Sequence, residues 1–158
     1  MIKKNKLKVL VIHGPNLNML GKREPEIYGK HTLARINENL KKQGEIFGID
    51  VITFQSNYEG AIIEKIHQAF NENYNGIIIN LAAYTHTSIA IKDALLMLSI
   101  PIIEVHLTNI YKREKFRSKS VISSVVTGQI VGLGYRGYFL ALKGISEMLN
   151  NCHKLDKN

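Results

Sequence analysis

Two pairs of residues have the types and spacing for proton chemistry. Glu104 and His106 stand two apart in the apolar run "PIIEVH". On a strand, positions i and i+2 share a face, so a carboxylate can orient and charge the imidazole beside it. Such a pair at the C-terminal end of a strand suits a general acid, and it equally suits a structural hydrogen bond. Arg23 and Tyr28 stand five apart in "HGPNLNMLGKREPEIYG", with Lys22 alongside. A tyrosine titrates at about pH 10, so it is a poor base at neutral pH unless a cation stabilises the phenolate. An arginine held close supplies that cation permanently, because guanidinium does not deprotonate. The combination is coherent, although both residue types are common in loops.

Other readings of the same segments fit less well. The glycine-rich stretch after the first apolar run invites a phosphate cradle. It lacks the G-x-G-x-x-G and G-x-x-x-x-G-K-[ST] patterns, and Pro15 removes a backbone donor such a cradle would use. The six histidines form no H-E-x-x-H or Cys/His cluster, so no metal is expected. His67 reads as a surface residue and His153 as part of a tail. His86 sits in "YTHTS", where Thr85, Thr87 or Ser88 can cap a following helix.

The net charge of +8 is local. Lys3, Lys4, Lys6 and Lys8 carry half of it, and "KREKFRSK" at 112–119, with five bases and one acid, carries the other half. The remainder balances, which argues against a nucleic-acid surface. The second cluster either holds an anionic small molecule or is an ordinary solvated loop. No apolar run approaches the roughly 18 residues that span a membrane. The single cysteine, Cys152, excludes an intramolecular disulfide framework. The basic start is not followed by a signal-peptide apolar region, so a cytoplasmic protein is expected.

The elements that must position these residues alternate. Strand-sized runs occur at 7–13, 49–55, 76–80, 101–106 and 128–133, several of them continuous in Ile and Val, as in strands covered on both faces. Helical stripes separate them: Leu33, Ile36 and Leu40; Ile62, Ile63, Ile66, Ala69 and Phe70; and Tyr138, Ala141, Leu142, Ile145, Met148 and Leu149. This is one doubly wound α/β domain with a parallel sheet. Ligands in such sheets bind beyond the strand C-termini, here 13–29, 55–59, 80–87 and 106–120. From Ser88 to Ser99 a helix is apolar nearly all round, which suggests burial against a second subunit as well as the sheet. Asp93 on it is either a solvent-edge residue or an interface acid.

Six segments, "GPNLNMLGKREPEIYG", "FQSNYEG", "NLAAYTHTSIAIKDAL", "EVHLTN", "REKFRSKS" and "TGQIVGLGYRGYFLAL", together resemble type II 3-dehydroquinate dehydratase, in order from about residue 8 to 150. The resemblance implies a flavodoxin-like five-stranded parallel sheet at 8–150, between a basic tail at 1–7 and a C-terminal tail at 151–158. It implies a hydro-lyase of the shikimate pathway that makes 3-dehydroshikimate from 3-dehydroquinate without cofactor or metal. By the same resemblance Tyr28 is the base, Arg23 its electrostatic partner, His106 the proton donor and Glu104 the carboxylate behind it. Asn16 lies near the departing hydroxyl, and Asn80, His86, Leu107, Thr108 and Arg117 bind substrate. A homo-dodecamer, a tetramer of trimers, is implied, with Asp93 reaching substrate across the trimer interface. Leu81 stands where the family more commonly has proline, and Thr108 where it has serine. A non-catalytic flavodoxin-like binding module would explain the fold, but not the joint presence of Arg23, Tyr28, Glu104 and His106.

Overall fold

Leu7–His13 (β1), Ile49–Gln55 (β2), Gly76–Asn80 (β3), Ile102–His106 (β4) and Gly128–Val131 (β5) form one parallel sheet. Its order, β2-β1-β3-β4-β5, is that of flavodoxin-like doubly wound domains. The computed structural model describes residues 6–22, 24–28 and 30–155, the side chains of Pro25, Tyr28 and residues 152–155 excepted. Two strand ends differ slightly from the apolar runs. Pro101 has no N–H for the ladder, so β4 starts at Ile102. After Val131, Gly132 turns the chain with φ 85°.

The helices are Pro25–Tyr28 (α1), Leu33–Phe47 (α2), Glu59–Asn71 (α3), Ile89–Leu95 (α4) and Arg136–Leu155 (α5). α2 and α5 cover one face of the sheet, over Val9, Val11, Ile78, Ile103 and Val105. α3 and α4 cover the other, over Leu10, Ile12, Ile77, Ile79 and Ile102. Two covered faces explain why β3 and β4 are buried along their whole length and read as continuous aliphatic runs. Truncating a fully buried side chain here, such as Ile78 or Leu142, to Ala costs about 2–5 kcal/mol.

The period of two then assigns the polar strand ends. His13 and Asn80 continue the rows that face α2 and α5. Glu104 and His106 continue the row of Ile102, toward α3 and α4.

The helices follow their stripes with informative exceptions. Thr32 caps α2 by accepting from the Arg35 N–H, and Leu33, Ile36 and Leu40 are buried. In α3, Ile62, Ile66 and Ala69 are buried but Phe70 is half exposed. At 3.6 residues per turn, Phe70 falls on the flank of that stripe beside Ile63. α5 continues to Leu155, into the segment expected to be a tail. α4, capped by the Ser88 hydroxyl, is shorter than the 88–99 pattern suggests. Ile91, Ala94 and Leu95 face inward, while Ile89, Leu96 and Met97 are exposed on this single chain. Among the described residues, no helix is long and apolar enough to cross a membrane.

Candidate active site

A cleft of about 760 Å³, part of it open to solvent, lies at the C-terminal ends of β1, β3 and β4. Asn16, Asn80, His86, His106, Leu107, Thr108 and Arg117 all line it. The structure thus gathers seven of the residues singled out from sequence, drawn from three strand exits.

Glu104 and His106 form a buried pair. His106 Nε2 lies 2.7 Å from Glu104 Oε1, with the carboxylate wholly inaccessible and the imidazole 5% exposed. Ser120 Oγ donates to the same oxygen at 2.7 Å, and Gln129 Nε2 donates to Oε2. Gln129 is the β5 residue paired with Glu104 across the ladder. Burial works to raise the Glu104 pKa. Hydrogen bonds from His106, Ser120 and Gln129, with the charge on His106, outweigh that and hold it below the usual carboxylate value. The pair therefore keeps a carboxylate behind an imidazole that opens onto the cleft.

On the other face a neutral chain runs beneath Asn80. Its Nδ2 donates to Tyr138 Oη at 3.2 Å, Tyr138 Oη lies 2.8 Å from His13 Nδ1, and His13 Nε2 lies 2.8 Å from Asn37 Oδ1. Burial drives the His13 pKa down to about 4, against the raising effect of the Asn37 bond. Burial likewise raises that of Tyr138, with the Asn80 bond opposing. Both residues are fully inaccessible.

Asn80 also shapes the turn that carries Leu81. Its Oδ1 accepts from the Ala82 N–H at 3.1 Å, which turns the chain as asparagine side chains do. Leu81 is fully buried in the core, and Ala82 takes φ 49°. Beneath it Gly14 donates its N–H to Asn80 O at 2.7 Å. A Cβ at Gly14 would stand 2.3 Å from Leu81 O, so only glycine fits there.

Asn16 holds a left-handed conformation (φ 66°), fixed by its N–H donating to Asn57 Oδ1 at 2.9 Å. His86 Nδ1 lies 2.8 Å from Lys119 O, tying the β3 exit to the basic segment. Arg117 Nε donates to Glu114 Oε2 at 3.0 Å, with its guanidinium over the Phe116 ring. Asp93 is exposed on α4 and does not line the cleft of its own chain. Arg23 lies outside the described residues, as does the side chain of Tyr28, whose backbone ends α1. Among the described residues no three His, Cys, Asp or Glu side chains cluster as metal ligands would.

Sequence reasoning missed several participants. Arg113 lines the cleft, and the basic segment containing it was the available signal. Ser120, Gln129, His13 and Tyr138 carried no local signal, since their partners lie 16 to 125 residues away.

Residues 7–146 match the family model described as Dehydroquinase class II. The chain is similar to the 3-dehydroquinate dehydratase of Roseiflexus castenholzii, 57% identical over 137 residues, 87% of each chain. It is 53% identical over 142 residues to that of Bacillus cereus, covering 90% of this chain and 97% of the relative. The crystal structure of type II dehydroquinase from Propionibacterium acnes superposes with a TM-score of 0.86 at 46% identity, over 89% of this chain and 96% of that one. With the match spanning nearly the whole described fold, the chain belongs to the class II dehydroquinases.

Proposed function

We propose that this chain is a hydro-lyase that removes water from 3-dehydroquinate to give 3-dehydroshikimate, the step of the shikimate pathway toward chorismate and the aromatic amino acids. The observation that carries the reading is the buried Glu104–His106 pair opening onto a cleft lined by Arg113 and Arg117. A charged imidazole beside cationic groups suits an anionic substrate that must lose hydroxide as water.

The α-hydrogen of a β-hydroxy ketone is weakly acidic, and its removal leaves an enolate that donors must stabilise where charge develops. Tyr28, as a phenolate held by Arg23, takes that hydrogen as a proton. The enolate then re-forms the carbonyl as the carbon–oxygen bond to the β-hydroxyl breaks. His106, charged beside Glu104, gives the leaving oxygen its proton, so it departs as water near Asn16. Tyr28 releases its proton and His106 regains one, which closes the cycle without a cofactor or metal. Arg117, His86, Asn80 and the backbone of Leu107 and Thr108 hold the carboxylate and ring hydroxyls.

The working enzyme on this reading is a cytoplasmic homo-dodecamer, a tetramer of trimers, in which Asp93 reaches a neighbour's substrate. Support comes from α4, where Asp93 lies among exposed Ile89, Leu96 and Met97, away from its own cleft. Light scattering alongside activity tests it; a fully active monomer would remove the role of Asp93.

Conversion is read as absorbance of the conjugated enone appearing from 3-dehydroquinate with no additive. A folded protein that produces none refutes the reading.

A further inference from the structure

We infer that Tyr138 and His13 are positioning residues for Asn80, fixing its amide so that it presents an N–H donor to an oxygen of the substrate. The inference rests on the reading of Asn80 as a substrate contact and adds what orients it.

The polarity of the chain follows from one donor that has no alternative. The Ala82 backbone N–H can only donate, so the Asn80 atom facing it at 3.1 Å is the oxygen. Nδ2 therefore faces Tyr138, and Tyr138 Oη accepts there. The single hydroxyl hydrogen of Tyr138 is then free to go to His13 Nδ1 at 2.8 Å. A neutral imidazole that accepts at Nδ1 carries its hydrogen on Nε2, which matches the 2.8 Å contact with Asn37 Oδ1. Every bond from Ala82 to Asn37 thus points one way.

Two consequences reach the cleft. Asn80 is 3% exposed and lines it. Its Nδ2 carries two hydrogens and spends one on Tyr138, so the second is the group offered to a bound molecule. The partner on that molecule is an acceptor, such as a carboxylate or hydroxyl oxygen. Reversing the amide would set Nδ2 against the Ala82 N–H and leave buried groups unsatisfied, which the chain forbids. The polarity also withstands acid, because a second proton on His13 would face Tyr138 in a site closed to water. Burial keeps that ring neutral down to about pH 4.

A double-mutant cycle in kcat/KM for 3-dehydroquinate separates positioning from mere stability. Tyr138→Phe keeps the ring and removes the hydroxyl; about a tenfold loss is expected, carried in KM. Made in the Asn80→Ala background, the same change is expected to cost less than about twofold, since the group it orients is gone. An equal loss in both backgrounds overturns the inference. A second measurement needs no variant: the ¹⁵N resonances of His13 in the native protein should report hydrogen on Nε2 and a bare Nδ1 at neutral pH. The opposite tautomer overturns the inference even if every variant fails to fold. A native protein without turnover would refute the proposed activity, and the tautomer would still decide the polarity.

Discussion

On the α3/α4 face of the sheet the buried polar group at a strand end is a carboxylate; on the α2/α5 face it is a neutral imidazole. Both are fully inaccessible; Glu104 stands one link behind a residue that lines the cleft, and His13 stands two, through Tyr138. Burial acts on each against its charged form. Glu104 overcomes it because three side chains donate to its two oxygens and one of them carries charge. His13 does not, because its neighbours are a phenol and an amide, and its pKa falls to about 4. On the proposed mechanism, the difference separates two tasks. A group that must hold a proton ready near neutral pH needs a charge behind it. A group that must only keep its orientation is better served by a chain with no charge to lose.

Four changes sharpen or break that comparison. The largest effect is expected from His106→Ala, a loss of about 10²–10⁴ in kcat, the usual contribution of a positioned acid. A loss as small as that of Tyr138→Phe would erase the distinction between the two faces. Glu104→Gln should cost about a hundredfold in kcat. Its new amide hydrogens would oppose the donors that now converge there, and the imidazole would lose its counter-charge. Unchanged kcat would make the pair structural.

Stability carries the third. The unfolded chain protonates His13 near its ordinary value of 6.5, and the folded chain only at about 4. Stability from this site is therefore full above that window and shrinks as pH falls through it, by up to about 3 kcal/mol. Urea unfolding of the native protein and of His13→Asn should differ in slope there; parallel curves would mean that the imidazole is charged in the fold. Glu104 contributes in a lower window. Its stabilisation is present above the unfolded carboxylate value and is lost as pH falls through the lowered folded one. The smallest effect belongs to Gln129→Leu. Removing one donor raises the Glu104 pKa, so the acid limb of the kcat profile should move to higher pH while the plateau changes by less than about threefold. An unmoved limb would exclude Gln129 from holding that charge.

Much of this was legible in the residues. β1, β3 and β4 announce themselves because strands covered on both faces are aliphatic on both, and Glu104 and His106 show their shared face through the period of two. The basic segment at 112–119 was open to two readings, an anion-holding cluster or a solvated loop, and Arg113 and Arg117 of it line the cleft. What stayed hidden depends on distance along the chain. Tyr138 reads only as one more member of the α5 stripe, because the polar end of a buried tyrosine is defined by partners 58 and 125 residues away. Gln129 looks like an ordinary edge-strand residue until the ladder register sets it opposite Glu104. The α4 pattern was misjudged in extent. Its regular turns end at Leu95, while the apolar run continues through exposed Leu96 and Met97.

The division of labour between the two faces has a direct test in the α-hydrogen of 3-dehydroquinate, followed by NMR in deuterated water alongside enone formation. In Glu104→Gln the account predicts that exchange of the α-hydrogen continues while dehydration falls, because proton removal does not pass through His106. In Tyr138→Phe, with substrate below KM, it predicts that exchange and dehydration fall together, because the substrate is held less well for both. If Glu104→Gln lowers exchange and dehydration by the same factor, the carboxylate–imidazole pair is not the proton donor and the account fails.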